Sequence, residues 1–91
     1  MPYINQNRRK LLDSDINTLT SLVKNNPFKE NDGELNYIIT RIIDVVYGEG
    51  GYDKFNRAMG VLDCVSREFY RRKVVPYEDK KIKENGDVYG V

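Results

Sequence analysis

Residues 33–69 read GELNYIITRIIDVVYGEGGYDKFNRAMGVLDCVSREF, and the fold turns on whether the first half of this stretch is helix or strand. Leu35, Ile38, Ile39, Ile42 and Val46 recur at steps of three and four, which places them on one face of a helix, whereas strict alternation fails at once. The β-branched content would favour a strand, but its period does not fit one. Ile43 and Val45 widen the apolar stripe beyond the footprint of a single partner helix. Gly48, Gly50 and Gly51 then end the helix and supply left-handed backbone for a tight reversal. Asp53 is placed to cap a third helix, in which Phe55, Ala58, Met59, Leu62, Val65 and Phe69 form a seam over about four turns. Gly60, Val61 and Cys64 add a flatter strip suited to close approach by another helix or subunit. The two helices together predict an antiparallel hairpin.

Working outward from that hairpin, the segment NNPFKENDG at 25–33 has the Pro, Gly, Asn and Asp content of a connecting loop. Asn31 and Glu34 stand three apart, as in a capping box at the start of the second helix. Upstream, Leu11, Leu12, Ile16, Leu19, Leu22 and Val23 predict an amphipathic helix over 13–24, preceded by a helical turn within an arm spanning 1–12. Pro2 keeps the very start extended. Downstream, FYRRKVVPYEDKKI at 69–82 straddles a boundary. Pro76 lacks an N–H and disfavours helix at Val75, so the third helix is expected to stop near Val74. Pro76 suits the first turn of a new helix over 76–84, with Glu78 and Asp79 at its positive end and Lys80, Lys81 and Lys83 toward its negative end. Asn85 and Gly86 cap it, leaving 85–91 as a tail. The expected architecture is all-α: one domain over 1–91, a small helical bundle built on an antiparallel hairpin with flanking short helices, and oligomeric.

Composition narrows the chemistry. The 91 residues carry a net charge of +1, with 32% charged and 40% hydrophobic residues, an ordinary globular balance. No stretch is long and apolar enough for a membrane span or a signal peptide, so a cytoplasmic protein is expected. With no histidine and a single cysteine, Cys64, the usual zinc sets and the histidine-based nucleophilic triads are missing, and no metal or cofactor is expected. Cys64 is expected among apolar helix neighbours, where a thiol is inert. The carboxylate pairs Asp13/Asp15 and Glu78/Asp79 read as helix caps, and the glycines at 48–51 follow a helix and lack the Lys-Ser/Thr of a phosphate loop. The chain is not expected to be an enzyme.

The densest basic group is Arg67, Arg71, Arg72 and Lys73, interleaved with Phe69, Tyr70 and Tyr77. Its bland interpretation is a solvated helix end, with cations offsetting the dipole and Glu78 and Asp79 as ion-pair partners. Its functional interpretation is an anion site, because guanidinium binds phosphate bidentately and tyrosine rings stack on bases. A near-neutral chain points to a small anionic nucleotide rather than long nucleic acid. An antiparallel hairpin would bring this corner toward Tyr37 and Arg41, so Tyr37, Arg41, Arg67, Arg71, Arg72 and Tyr77 form the candidate ligand set.

The segments GELNYIITRI, GVLDCVSREFYRR and PYEDKKIKENGDVYG resemble a small family of uncharacterised phage, prophage and bacterial proteins, a domain of unknown function, over nearly the whole chain. That resemblance implies no activity and no site residues. By analogy with other small helical phage proteins, the leading expectation is an oligomeric binding protein in the host cytoplasm that sequesters a nucleotide-derived immune signal. The alternative is a protein–protein interaction module without a small-molecule ligand.

Overall fold

The computed structural model describes residues 1–90, and Val91, the last residue of the expected tail, lies outside them. Four α-helices follow in order: α1 (Gln6–Lys24), α2 (Asn31–Tyr47), α3 (Tyr52–Phe69) and α4 (Val75–Asn85). No strand occurs among the described residues, so the all-α expectation holds. The chain divides into two compact units, Pro2–Ala58 and the segment from Met59 onward.

In the first unit, α1 begins at Gln6 rather than near residue 13. The side chain of Asn5 accepts a hydrogen bond from the Asn7 amide at 2.8 Å. That cap satisfies one of the orphan donors of the first turn. Behind it Gln6, Arg8, Arg9, Lys10, Leu11 and Leu12 are good helix formers, so Asp13 and Ser14 are carried inside the helix and the arm shrinks to residues 1–5. Asn5→Ala is expected to cost about 1 kcal/mol of helix stability. Hydrogen exchange should show the loss confined to the first turn of α1.

The loop expected at 25–33 is also shorter. Pro27, at φ −53° and ψ 137°, launches a 3-10 turn over Phe28–Glu30 that runs directly into α2. Asn31 is therefore already helical (φ −60°, ψ −37°), and its side chain cannot act as a cap. The capping box does not form. Glu34 reaches back instead to accept a hydrogen bond from the Asn26 side-chain amide, leaving Asn31 Oδ1 and Glu34 Oε1 buried without donors. α2 ends at Gly48, and Gly50 and Gly51 take φ values of 119° and 82° before α3, as the glycine cluster predicts. Asp53 lies within the first turn of α3 rather than ahead of it, where its charge still favours the helix dipole.

In the second unit the predicted break before Pro76 does not occur. The helical path continues from α3 through a π-helical turn, Tyr70–Val74, into α4. Val75 keeps helical angles (φ −57°, ψ −51°), and its N–H reaches five residues back to Tyr70 O. A proline ring clashes with the carbonyl four residues earlier and has no N–H to give. One wide turn answers both problems, and such turns recur at sites of this kind. α4 then ends as expected at Gly86, at φ 90°, whose N–H bonds Ile82 O at 2.8 Å. In the tail, the Tyr89 amide donates to Asp87 Oδ1 at 2.9 Å, a local turn.

The seam residues of α3 do not form a filled core. Ala58 is the one outright buried apolar side chain among the described residues, at 7% exposure, while Phe55, Met59, Val65 and Phe69 are exposed. Cys64, expected among apolar neighbours, is exposed as well. One thiol equivalent per chain should therefore react with Ellman's reagent without denaturant, and Cys64→Ser should abolish that signal.

Candidate functional site

The six candidate residues fall in different units: Tyr37 and Arg41 on α2 in the first, and Arg67, Arg71, Arg72 and Tyr77 in the second. All six are exposed.

Tyr37 and Arg41 lie one helical turn apart and are brought together. Arg41 Nη1 donates to the Tyr37 hydroxyl at 2.8 Å, and its Cζ sits 5.7 Å from the ring centroid. The contact combines a hydrogen bond with a cation–π attraction and holds the guanidinium beside the Tyr37 ring. Its remaining N–H groups are left for an acceptor.

The second-unit arginines are engaged locally. Arg67 Nε donates to Asp63 Oδ2 at 2.8 Å, and Arg71 Nη2 to Glu68 Oε1 at 2.8 Å. These are i,i+4 and i,i+3 pairs, a spacing visible in the sequence. The hydrogen bond and charge of Asp63 raise the Arg67 pKa above its ordinary value. An arriving phosphate would have to displace both carboxylates, and exposed pairs of this type add little to stability. Glu78, expected as a cap or ion-pair partner of this cluster, accepts instead from the Tyr70 hydroxyl at 2.6 Å. Tyr77 lies under Lys81, whose Nζ is 5.6 Å from the ring centroid, and Lys81 also pairs with Glu84 at 3.0 Å.

The Tyr70–Glu78 bond depends on the wide turn between its partners. Eight residues of regular helix rotate about 800°, leaving the two side chains about 80° apart, and one extra residue in a turn removes about 100° of that rotation. The bond to Glu78 raises the Tyr70 pKa above its ordinary 10.0, with the Glu78 charge next in effect. A phenol can donate only while protonated, so this contribution is complete below pH 10 and disappears as pH rises through the raised value. In an alkaline titration followed by tyrosinate absorbance, Tyr70→Phe should remove one phenol from the most alkaline part of the curve. Loss of a phenol from the middle of the curve would show that the bond does not form in solution.

A second feature carries no site signature in the sequence. Ile16, Leu19 and Val23 of α1 and Leu35, Ile38 and Ile42 of α2 line an apolar groove of about 380 Å³, with Asn31 at the end nearer the α1–α2 connection. The short connection at 25–30 cannot carry the chain back along the length of α1, so α1 and α2, which line one groove, run antiparallel. The signal that could have found it is the stripe width. At about 100° per residue, the apolar positions of α1 cover roughly 140° and those of α2 roughly 160°, more than one neighbouring helix can cover.

A family model described as Domain of unknown function (DUF6899) matches residues 1–88. The chain belongs to this family. No curated protein and no solved structure matches it. Among the described residues, no helix is long and apolar enough to cross a membrane. Membership in DUF6899 thus covers both units, the groove and all six candidate residues, and assigns a role to none of them.

Proposed function

We propose that this DUF6899 protein is a non-enzymatic interaction module of the cytoplasm that works by covering apolar helix faces. The observation carrying this reading is the open α1–α2 groove, lined by six aliphatic side chains, in a chain where Ala58 is the single buried apolar residue among those described. Exposed contiguous apolar surface of this kind marks association sites. The engagement of Arg67 and Arg71 by Asp63 and Glu68 counts against a ready-made phosphate clamp. The test is binding of an environment-sensitive apolar dye to the separated single chain, with Ile16→Lys plus Ile42→Lys as the comparison. Strong dye binding that the double variant loses supports the reading, and equal fluorescence from both proteins defeats it.

Sequestration of a small anionic nucleotide is the second reading, supported by the Tyr37–Arg41 pair, which offers a ring face beside guanidinium N–H groups. Calorimetry against a panel of cyclic oligonucleotides and ADP-ribose compounds tests it. Micromolar binding that Arg41→Ala weakens at least tenfold would support this reading, and no heat from any compound would dispose of it.

A further inference from the structure

We infer that the first unit holds a binding site for a small aromatic monocarboxylate, with the ligand's ring beside Tyr37 and its carboxylate on Arg41. The site occupies a second hollow between α1 and α2, distinct from the apolar groove. It rests on the reading that the Tyr37–Arg41 pair receives an anion, and it names the class of ligand.

The hollow sets the ligand's body. It measures about 360 Å³ and is lined by Leu22, Val23 and Ile38 together with Gly33, Glu34 and Tyr37. That volume lies at the small end of ligand sites and suits one or two fused rings. Gly33 keeps it open, because nothing stands within 4 Å of the position a Cβ would take there. The aliphatic side chains favour an apolar body. The Tyr37 ring favours a flat aromatic one, since rings attract one another in offset and edge-on arrangements.

Arg41 supplies the charge beside this hollow. Its Cζ lies 5.7 Å from the centroid of the Tyr37 ring that lines it. One guanidinium N–H goes to the Tyr37 hydroxyl at 2.8 Å, a neutral partner that leaves the positive charge in place. Arg67 and Arg71 differ, because each donates to a carboxylate that offsets its charge. The acid nearest to Arg41 along α2, Asp44, is turned toward the end of the helix, with its Oδ1 2.5 Å from where a Cβ on Gly48 would stand. A carboxylate can accept two parallel N–H bonds from a guanidinium, which makes it the complementary group.

Glu34 limits the ligand to one negative group. It stands about 10 Å from Arg41 along the helix axis, and the Asn26 side-chain amide holds its carboxylate near the α1–α2 connection. A ligand whose acid meets Arg41 points its ring toward Glu34, where a second anion would be repelled. A phosphate monoester brings close to two charges to a single guanidinium, so charge selects the carboxylate.

Titration of the isotope-labelled full chain with indole-3-acetate, followed by amide chemical shifts, tests the inference, with neutral indole-3-acetamide and ADP-ribose as comparisons. Saturable shifts at Gly33, Tyr37 and Ile38 are expected, with a Kd below about 1 mM. Arg41→Gln should weaken binding at least tenfold, and Gly33→Leu, which fills the hollow, should abolish it, both with helical circular dichroism retained. Arg67→Gln should leave binding unchanged. Equal affinity for indole-3-acetamide would remove the role of the carboxylate and overturn the inference, as would indole-3-acetate shifts confined to Ile16 and Ile42 in the groove. ADP-ribose binding at Tyr37 and Arg41 without indole-3-acetate binding would overturn the monocarboxylate while leaving the nucleotide reading standing. No shift with either compound would overturn the site, and the cyclic oligonucleotides would then decide the nucleotide reading by themselves.

Discussion

Pro76→Ala is expected to stabilise the second unit by about 1–3 kcal/mol and to convert its π-helical turn into regular α-helix. Proline inside a helix costs about 3 kcal/mol relative to alanine, and the helical path here passes through Pro76 without a break. Part of that cost is already relieved, because the wide turn opens space for the ring and Pro76 stands at the start of α4, where N–H groups have few partners in any case. The lower end of the range reflects this relief. Alanine removes the ring and restores a donor, so the five-residue step from Val75 back to Tyr70 loses its cause. Closing the turn by one residue rotates everything after it by about 100°. Tyr70 and Glu78, now 2.6 Å apart, would then be separated around the helix. Two readouts follow from one substitution: a higher urea midpoint at fixed protein concentration, and a Tyr70 phenol that loses its alkaline shift. An unchanged midpoint with Tyr70 still ionising late would mean that the Tyr70–Glu78 bond, and not the proline, holds the turn open.

Alanine at both Gly50 and Gly51 is expected to destabilise the first unit by about 2–4 kcal/mol. Gly51 has φ 82° with open space where a methyl would stand, so its cost is backbone strain alone, about 1–2 kcal/mol. Gly50 has φ 119°, outside the region that L-residues populate, and a methyl there would sit 2.5 Å from Lys54 Cδ. The lysine side chain can move away, so strain again dominates. Gly60→Ala gives the opposite sign. Gly60 is helical with nothing within 4 Å of an added methyl, and alanine there should stabilise α3 by about 0.5–1 kcal/mol. Thermal unfolding of the two variants at one concentration distinguishes the two effects. Destabilisation by Gly60→Ala would reveal close approach of another helix at the strip where the sequence suggested one.

The helices themselves were legible because their signal is local. The period of Leu35 to Val46, the glycine cluster before Tyr52 and the Gly86 cap each act within a few residues, and each was found where expected. Boundaries failed where two local rules competed. At Asn5, an adequate cap and a run of helix formers outweighed Asp13 and Ser14. At Asn31, a 3-10 turn launched by Pro27 took the helix start away from the capping box. At Val75, helix propagation from α3 outweighed the preference that proline imposes on its neighbour.

The candidate site was less legible for a related reason. Net charge and aromatic interleaving located the basic group, but Asp63 and Glu68 stand one helical turn from Arg67 and Arg71, and short-range pairing claims those guanidiniums first. Sequence alone determined that this chain is helical, where its glycines interrupt the helices, and that the apolar stripe of α2 is wider than one neighbour can cover. Tertiary structure decided that α1 and α2 leave a groove between them, and the register of the wide turn decided that Tyr70 reaches Glu78. The division follows the range of the forces: periodicity and capping act within one helix, whereas a groove or a register shift exists only once the rotation of every intervening residue is fixed.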